Sequence, residues 1–159
     1  MNLSVVRANV GAMASTGDYL RIALDGPFRE TRERTRADLA DPILAPSYIS
    51  DLAGAREHVL GQLKFLAKRG YAADGFTTSQ GGTANPGSAV VGLSMMAMSD
   101  LSLMVKAGVQ WGLFGGAVAN LGTARHHEKY VKRLIDLDLL GCFAMTETGH
   151  GSDVQSLET

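Results

Sequence analysis

Two apolar stretches, residues 88–99 and 101–121, constrain the fold of this chain more than any other feature. Each is long enough for a helix and carries apolar side chains on nearly every face, as helices buried in a core do. A chain of 159 residues suffices for a single hydrophobic core that encloses them. The pattern therefore predicts two consecutive helices, Ser88–Ser99 and Leu101–Leu121, at the centre of a helical bundle.

A membrane-spanning helix is the alternative interpretation of the second stretch. Three glycines repeat the small-residue spacing of packed transmembrane helices; they are Gly108, Gly112 and Gly116. However, a span needs about 20 uninterrupted apolar residues, and polar residues interrupt this region at Asp100, Lys106, Gln110 and Asn120. We therefore expect no membrane span. In a soluble bundle, glycines at this spacing would let another backbone or a flat ligand approach closely.

Further helices and one long loop are predicted around these two stretches. The pattern indicates a short helix at 18–24, a solvated helix at 28–41, an amphipathic helix at 48–69 and another helix that begins after Thr123. Gly70 follows the amphipathic helix as a C-terminal stop. Residues 70–88 are rich in Gly, Thr, Ser, Asn and Pro, which predicts a long ordered loop and hence a functional candidate.

The composition excludes several classes of function. A net charge of −1, with 45% hydrophobic and 19% charged residues, gives no indication of disorder or of a nucleic-acid partner. Cys142 is the only cysteine, so neither an intrachain disulfide nor a cysteine-built zinc site can form. An intracellular, reducing compartment is favoured. Arg7 and Asn9 interrupt the first apolar residues, so we expect no secretion signal.

Three weaker patterns have simple structural interpretations. Adjacent side chains on a helix point about 100° apart, so His126 and His127 are expected to be capping histidines and no metal site is expected. Loop 82–88 lacks the lysine of a phosphate-binding loop, which argues against a nucleotide triphosphatase. Four methionines predict adaptable core filling, or alternatively the lining of an apolar acyl tunnel; they are Met95, Met96, Met98 and Met104.

The segment from Cys142 to Asp153 carries the strongest chemical signal. A short apolar run over residues 142–145 predicts a strand that delivers Thr146 to its end. Gly149 and Gly151 follow two residues apart, so hydroxyls and backbone N–H groups would surround a space suited to a polar ring edge or a phosphate. This geometry would suit a flat cofactor. An ordinary loop after a strand is the alternative.

On these residues, the chain resembles the acyl-CoA oxidases, the peroxide-producing relatives of the acyl-CoA dehydrogenases. The resemblance extends from about Asp25 to Thr159. Besides residues 142–153, it includes the stretches 80–82, 86–89, 108–116, 121–123 and 126–130. His150 favours the oxidases, whereas Asp153 is the dehydrogenase-like choice at its position.

The resemblance implies a fold, a cofactor and a reaction. The implied fold is mainly α: residues 1–24 form a lead-in, 25–140 the N-terminal helical bundle domain, and 141–159 the truncated start of the middle β-domain with its first strand. The implied function is that of an FAD-dependent acyl-CoA oxidase of fatty acid β-oxidation. It converts a fatty acyl-CoA to the trans-2-enoyl-CoA and reduces molecular oxygen to hydrogen peroxide. The full-length protein would be a homodimer of a bacterial cytoplasm or a peroxisome.

The resemblance also implies the site residues. Thr146 would hydrogen-bond the isoalloxazine edge of FAD, Gly149 and Gly151 would lie against the flavin, and Ser152 would contact the CoA portion of the substrate. The catalytic glutamate would lie beyond this sequence, so we assign no catalytic residue here and give Glu147 no proton-transfer role. The isolated chain is therefore expected to bind FAD weakly or not at all and to be inactive.

Two other functions stay open on the sequence alone. An acyl-CoA dehydrogenase would pass its electrons to an electron-transfer protein rather than to oxygen. A helical interaction module without catalysis would use its Gly-rich helix face and its strand to bind a protein partner or a membrane.

Overall fold

A computed structural model describes residues 15–158 of the chain, so most of the predicted lead-in, residues 1–14, lies outside the described part. Its helices are α1 (Thr16–Asp25), α2 (Arg29–Leu39), α3 (Leu52–Lys68), α4 (Pro86–Ser99), α5 (Leu101–Leu121) and α6 (residues 124–135). Each helix predicted from the sequence is present, with its ends shifted by a few residues at most. The expected mainly α fold is confirmed.

Local hydrogen bonds fix both ends of α3. The carboxylate of Asp51 accepts a hydrogen bond from the N–H of Gly54 (2.6 Å), which satisfies one of the free amides of the first turn. At the other end, Gly70 has a φ of 82°, and the N–H of the next residue donates to the carbonyl of Leu66 (3.2 Å). This is a Schellman motif, whose left-handed residue explains why a glycine follows the helix.

A single aspartate separates α4 from α5. The side chain of Asn85 accepts from the N–H of Ser88 (3.1 Å), and Pro86 occupies the first turn. Helix α4 therefore begins at Pro86, slightly before the start at Ser88 that the apolar pattern predicts. Asp100 follows the last residue of α4. Its carboxylate caps α5 by accepting from the N–H of Ser102 (2.8 Å).

Parts of α5 and α6 are wound as π-helix. The π-helical segments are Gly108–Phe114 in α5 and His127–Val131 in α6. Such windings are rare and are often found at functional sites. The segment in α5 carries Gln110 and Trp111, both of which are buried.

Helices α3 to α6 surround a shared hydrophobic core. Its largest fully buried apolar side chains are Leu44, Leu66, Met96, Leu103, Val131 and Leu134. Trp111 joins α5 to α6, because its indole N–H donates to the carbonyl of Leu134 (3.3 Å). Core filling by methionine is confirmed for Met95 and Met96, but Met98 is 80% exposed and does not take part.

The prediction that α4 and α5 are buried on nearly every face is wrong for the described residues. Large apolar side chains of these helices that are 47–85% exposed are Val90, Met98, Leu101, Val105, Leu113 and Leu121. Only part of each helix surface packs against a neighbour within residues 15–158. By length and composition α5 could also cross a membrane, with 28% of its most apolar window buried. The absence of a membrane span stays a prediction.

The helix predicted as solvated, α2, is instead tied to the bundle by buried polar side chains. Thr35 is fully buried and Asp38 is 3% exposed. The carboxylate of Asp38 accepts hydrogen bonds from Nε of Arg69 (2.8 Å) and from the hydroxyl of Tyr71 (2.9 Å). Burial raises the pKa of Tyr71, so its hydroxyl keeps the proton that it donates.

Two further buried carboxylates order neighbouring segments. Asp25 accepts two hydrogen bonds from the guanidinium of Arg36 (2.7 and 2.5 Å), which hold the pKa of that carboxyl below its ordinary value. Asp74 accepts from Arg34 of α2 (3.1 Å) and from the hydroxyl of Thr83 (2.8 Å). The loop between α3 and α4 is therefore ordered, as predicted, and it is fastened to α2.

The strand predicted for residues 142–145 is not formed. These residues have no regular secondary structure, and the isolated β-bridge in the described part of the chain joins Glu147 to Gly151. A strand is held by hydrogen bonds to a neighbouring strand, and residues 15–158 supply no such neighbour. The expected first strand is therefore corrected to an unpaired segment followed by a tight turn.

We predict that Asp38→Asn destabilises the bundle, because the neutral amide is a weaker acceptor for Arg69 and Tyr71. Breaking a buried ion pair costs about 3–5 kcal/mol. Because the Arg69 side chain is 54% exposed, we expect a smaller loss of about 2 kcal/mol in the free energy of unfolding. Urea denaturation followed by circular dichroism measures this loss.

The matched control for Asp38→Asn is Glu33→Gln on the same helix. Glu33 pairs with Arg29 (2.7 Å), and both side chains are substantially exposed. Its loss should stay below about 0.5 kcal/mol. Equal losses in the two variants would contradict the assigned role of Asp38.

Candidate functional site

The side chain of Gln110 attaches the C-terminal segment to the bundle. Gln110 is 4% exposed and lies in the π-helical part of α5. Its Nε2 donates to the carbonyl of Leu139 (2.8 Å), and its Oε1 accepts from the N–H of Gly141 (3.0 Å). Both ends of the amide are used. The backbone at 139–141 is thus fixed to α5 just before the predicted binding segment begins.

Gly141 lies directly against the ring of Phe114. A Cβ added to Gly141 would lie 1.9 Å from Cδ1 of this ring. Real Cβ contacts are much longer, so any larger residue would displace the ring or the backbone. Phe114 closes the same π-helical segment that carries Gln110. Sterics and hydrogen bonding therefore fix the same point of the chain.

Residues 147–151 form a tight turn that is held by hydrogen bonds to Glu147. The N–H of Gly151, which has a φ of 58°, donates to the carbonyl of Glu147 (2.9 Å). The carboxylate of Glu147 lies 2.8 Å from Nε2 of His150 and accepts from the N–H of Glu158 (3.0 Å). The side chain and backbone of one residue therefore hold three points of the C-terminal segment.

The four residues predicted to bind cofactor and substrate lie on or beside this turn and are all exposed: Thr146, Gly149, Gly151 and Ser152. Within residues 15–158, the hydroxyl of Thr146 and the N–H of Gly149 have no hydrogen-bond partner, so both are available to a ligand. The N–H of Gly151 is already used by the turn. The left-handed conformation is what Gly151 contributes. The binding roles themselves stay predictions.

A cavity of about 330 Å³ lies where the C-terminal segment leaves the bundle. Its apolar walls come from α3, α5 and the segment, and its charged groups are cationic; the lining includes Val59, Leu63, Val109, Cys142, Arg56 and Lys106. An apolar group with an anionic end would fit this combination. None of the four predicted binding residues lines it.

A second cavity, of about 720 Å³, lies between the long loop and α6 and is lined by both polar and apolar residues. Its lining includes Ser79, Gln80, Gly81, His127, Glu128, Lys132 and Asp136. Next to it, Nδ1 of His126 accepts from the N–H of Thr123 (3.1 Å), so the capping interpretation is confirmed for His126. Among residues 15–158, no group of three or more His, Cys, Asp or Glu side chains is arranged to hold a metal ion.

The spaced glycines of α5 do not bring a backbone close to the helix. A Cβ added to Gly108 or Gly112 would meet no atom within 4 Å in the described chain. The close approach occurs instead at Gly115, where an added Cβ would lie 2.9 Å from side-chain atoms of Leu134 and Phe76. The expected approach of another backbone to the spaced glycines is therefore not seen within residues 15–158, and the approach of a flat ligand stays a prediction.

Sequence reasoning missed the structural roles of Gln110, Phe114 and Glu147. It treated Gln110 only as an interruption of an apolar stretch. The available signal was its position, because an amide buried in an apolar helix needs partners for both of its ends. No comparable signal pointed to Phe114, whose partner Gly141 lies on a different element.

We predict that Glu147→Ala loosens the turn, because it removes the carboxylate that contacts His150 and the N–H of Glu158. The pair with His150 is partly exposed, so the effect should be below about 1 kcal/mol. That corresponds to amide hydrogen exchange at Gly151 that is about 2- to 5-fold faster, measured by NMR. Asp153→Ala, which removes a contact with Ser156 (2.7 Å), is the control and should change this rate less. Equal rates in Glu147→Ala and the unmodified chain would contradict the assignment.

Comparisons with known proteins point to one family. Acyl-coenzyme A oxidase 2, peroxisomal, of Arabidopsis thaliana is 57% identical over 60 residues, which cover 38% of this chain and 9% of the relative. Acyl-coenzyme A oxidase 3, peroxisomal, of the same plant is 37% identical over 116 residues, which cover 73% of this chain and 17% of the relative. A further acyl-coenzyme A oxidase of this plant, numbered 3.2, is 35% identical over 152 residues, or 88% of this chain and 22% of the relative.

The chain spans about a tenth to a fifth of the length of these relatives. No family model matches it, and no solved structure matches it. Of these three alignments, the most extensive nevertheless covers 88% of this chain. Along most of its length, this chain is similar in sequence to the acyl-CoA oxidases.

Proposed function

We propose that this chain is part of an FAD-dependent acyl-CoA oxidase that converts a fatty acyl-CoA to the trans-2-enoyl-CoA and reduces oxygen to hydrogen peroxide. The observation that carries this proposal is the 37% identity over 116 residues to a protein named as an acyl-coenzyme A oxidase. In the proposal, residues 25–140 are the helical domain and residues 141–159 begin a β-domain. The strand expected at 142–145 would form once a neighbouring strand supplies its hydrogen bonds.

The residues on the turn fit the edge of a flavin. Thr146 has an exposed hydroxyl without a partner in the described chain, and Gly149 has a free N–H. We assign both to the cofactor, together with Gly151, whose part is to shape the turn. Ser152, which is exposed, is assigned to the CoA portion of the substrate.

A hydrogen bond from Thr146 would stabilise negative charge on the ring to which it donates. When bound, FAD would supply the hydride acceptor and the reaction with oxygen. We assign no proton-abstracting residue within this chain. Its contribution is to hold and orient the cofactor and substrate at the turn.

The 330 Å³ cavity supports a substrate that joins an apolar chain to an anionic group. Its walls are apolar, and Arg56 and Lys106 carry positive charge. We propose a peroxisomal location, because all three relatives above are named as peroxisomal. None of those relatives is bacterial, so the alternative of a bacterial cytoplasm has no support from them. A homodimer is proposed for the full-length protein.

Oxygen consumption tests the proposed reaction directly. We predict that the full-length protein with FAD consumes oxygen when palmitoyl-CoA is added, without another electron acceptor, and forms one hydrogen peroxide for each enoyl-CoA. An oxygen electrode follows the oxygen consumed, a peroxidase-coupled assay measures the hydrogen peroxide, and chromatography of the thioesters measures the enoyl-CoA. Turnover that needs an electron-transfer protein would instead indicate a dehydrogenase. A protein that binds no flavin and does not turn over would indicate an interaction module.

We predict that Thr146→Val in the full-length protein lowers kcat, because it removes the donor at the flavin edge and keeps the shape of the side chain. Loss of one such donor commonly costs on the order of 100-fold. The flavin reduction potential should also fall, since negative charge on the ring loses its hydrogen bond. Thr148→Val, the same change two residues away, is the matched control and should leave both values near those of the unmodified protein. An unchanged potential in Thr146→Val would exclude the assigned contact.

A further inference from the structure

We infer that Gln110 is a positioning residue, whose side-chain amide sets the register of the backbone that carries Thr146 to the flavin. This inference rests on the proposed function. Gln110 acts through the backbone of residues 139–141, to which it is hydrogen-bonded. It lies on α5, whereas the residues assigned to the cofactor lie on the C-terminal turn.

The amide of Gln110 takes the place of one residue of a neighbouring strand. In a parallel pair of strands, a residue donates its N–H to the carbonyl before its partner and accepts from the N–H after it. Gln110 makes these two bonds around Leu140, to the carbonyl of Leu139 (2.8 Å) and from the N–H of Gly141 (3.0 Å). The segment therefore leaves the bundle with its register already defined, although no strand pairs with it in residues 15–158.

Glutamine meets a requirement here that its close analogues do not. Its amide holds a donor and an acceptor on one planar group. Ionised glutamate has acceptors only, and methionine has neither a donor nor a strong acceptor. Because Gln110 is 4% exposed, water has little access to its side chain to replace a lost bond.

Two other side chains of α5 also fix the backbone near Gln110. On one side, Gly141 is pressed against the ring of Phe114, where an added Cβ would lie 1.9 Å from the ring. On the other side, the indole of Trp111 holds the carbonyl of Leu134 near the end of α6 (3.3 Å). All three anchoring side chains belong to the π-helical segment Gly108–Phe114. The segment therefore holds the chain from residue 134 to residue 141.

A small loss of register at Gly141 has a large effect at Thr146. The chain rises about 3.3 Å for each residue of an extended segment, and a slip of one residue turns every side chain to the opposite face. Hydrogen bonds tolerate a range of only about 0.5 Å. With the segment extended, a slip of one residue would therefore remove the hydroxyl of Thr146 from the edge of the flavin.

The test uses the full-length protein with FAD and compares Gln110→Met, Gln110→Glu and Gln62→Met with the unmodified protein. Methionine removes both hydrogen bonds at similar size, and glutamate keeps only the acceptor for Gly141. Gln62 is the matched control, because it is also fully buried but contacts the carbonyl of Ala45, in the connector between α2 and α3 (3.4 Å). The readouts are the melting temperature, the flavin reduction potential, kcat and KM.

We expect both Gln110 variants to retain FAD, to lose about 100-fold in kcat, as misplacement of about 1 Å can, and to have a lower flavin reduction potential. Gln62→Met removes one long hydrogen bond (3.4 Å) in another part of the bundle, so its kcat should stay within about twofold. Gln110 variants with unchanged kcat and potential, or the same kcat loss in Gln62→Met, would overturn the inference. If the unmodified protein shows neither flavin nor acyl-CoA-dependent oxygen uptake, the proposed function has failed instead.

If the Gln110 variants do not fold, amide hydrogen exchange in the unmodified protein tests the inference. The N–H of Gly141 should exchange with deuterium at least tenfold more slowly than that of Gly149, because the former is bonded to Gln110 and the latter has no partner. Slow exchange at Gly141 together with misfolding of both variants supports the inference. Equal rates at the two glycines would overturn it.

Discussion

The amide of Gln110 is the contact on which the placement of the C-terminal segment depends. Its two hydrogen bonds join a buried position of α5 to the backbone on both sides of Leu140. An amide buried among apolar side chains is costly unless both of its ends are bonded. The carbonyl of Leu139 and the N–H of Gly141 supply one partner for each end of the amide. The stability of α5 and the path of the following segment are therefore coupled through one side chain.

Buried polar contacts also attach α2 and its neighbouring segments to the bundle. Three buried carboxylates, Asp25, Asp38 and Asp74, each accept from an arginine on a different element of the chain. Such pairs gain little net stability over well-packed apolar residues, but they leave few alternative arrangements, because a buried charge without its partner is strongly unfavourable. In this way, a helix with few large apolar residues is kept against the bundle. Apolar surfaces of α4 and α5 are left exposed in the described part of the chain.

The hydrogen bonds of the turn at 147–151 distinguish the roles of individual residues in the segment that resembles the acyl-CoA oxidases. Glu147 holds the turn through its carbonyl and its carboxylate, which gives this residue a structural role in the motif. The N–H of Gly151 is used within the turn, and the hydroxyl of Thr146 is not. Thr146 is therefore the better candidate for a contact with the flavin, and the role of Gly151 is conformational.

The sequence by itself determined the helices and where they end. Their apolar periods, the capping side chains of Asp51 and Asp100 and the left-handed Gly70 are local signals, and local hydrogen bonds satisfy them. The sequence also predicted a binding segment at residues 142–153. It could not show that the expected strand stays unpaired, because pairing depends on a neighbour that is distant in the sequence. Nor could it show that Gln110 meets residues 139 and 141, or that Gly141 lies against Phe114. Only the packing of α5 against α6 brings these residues together, because such contacts join positions about thirty residues apart and carry no local periodicity.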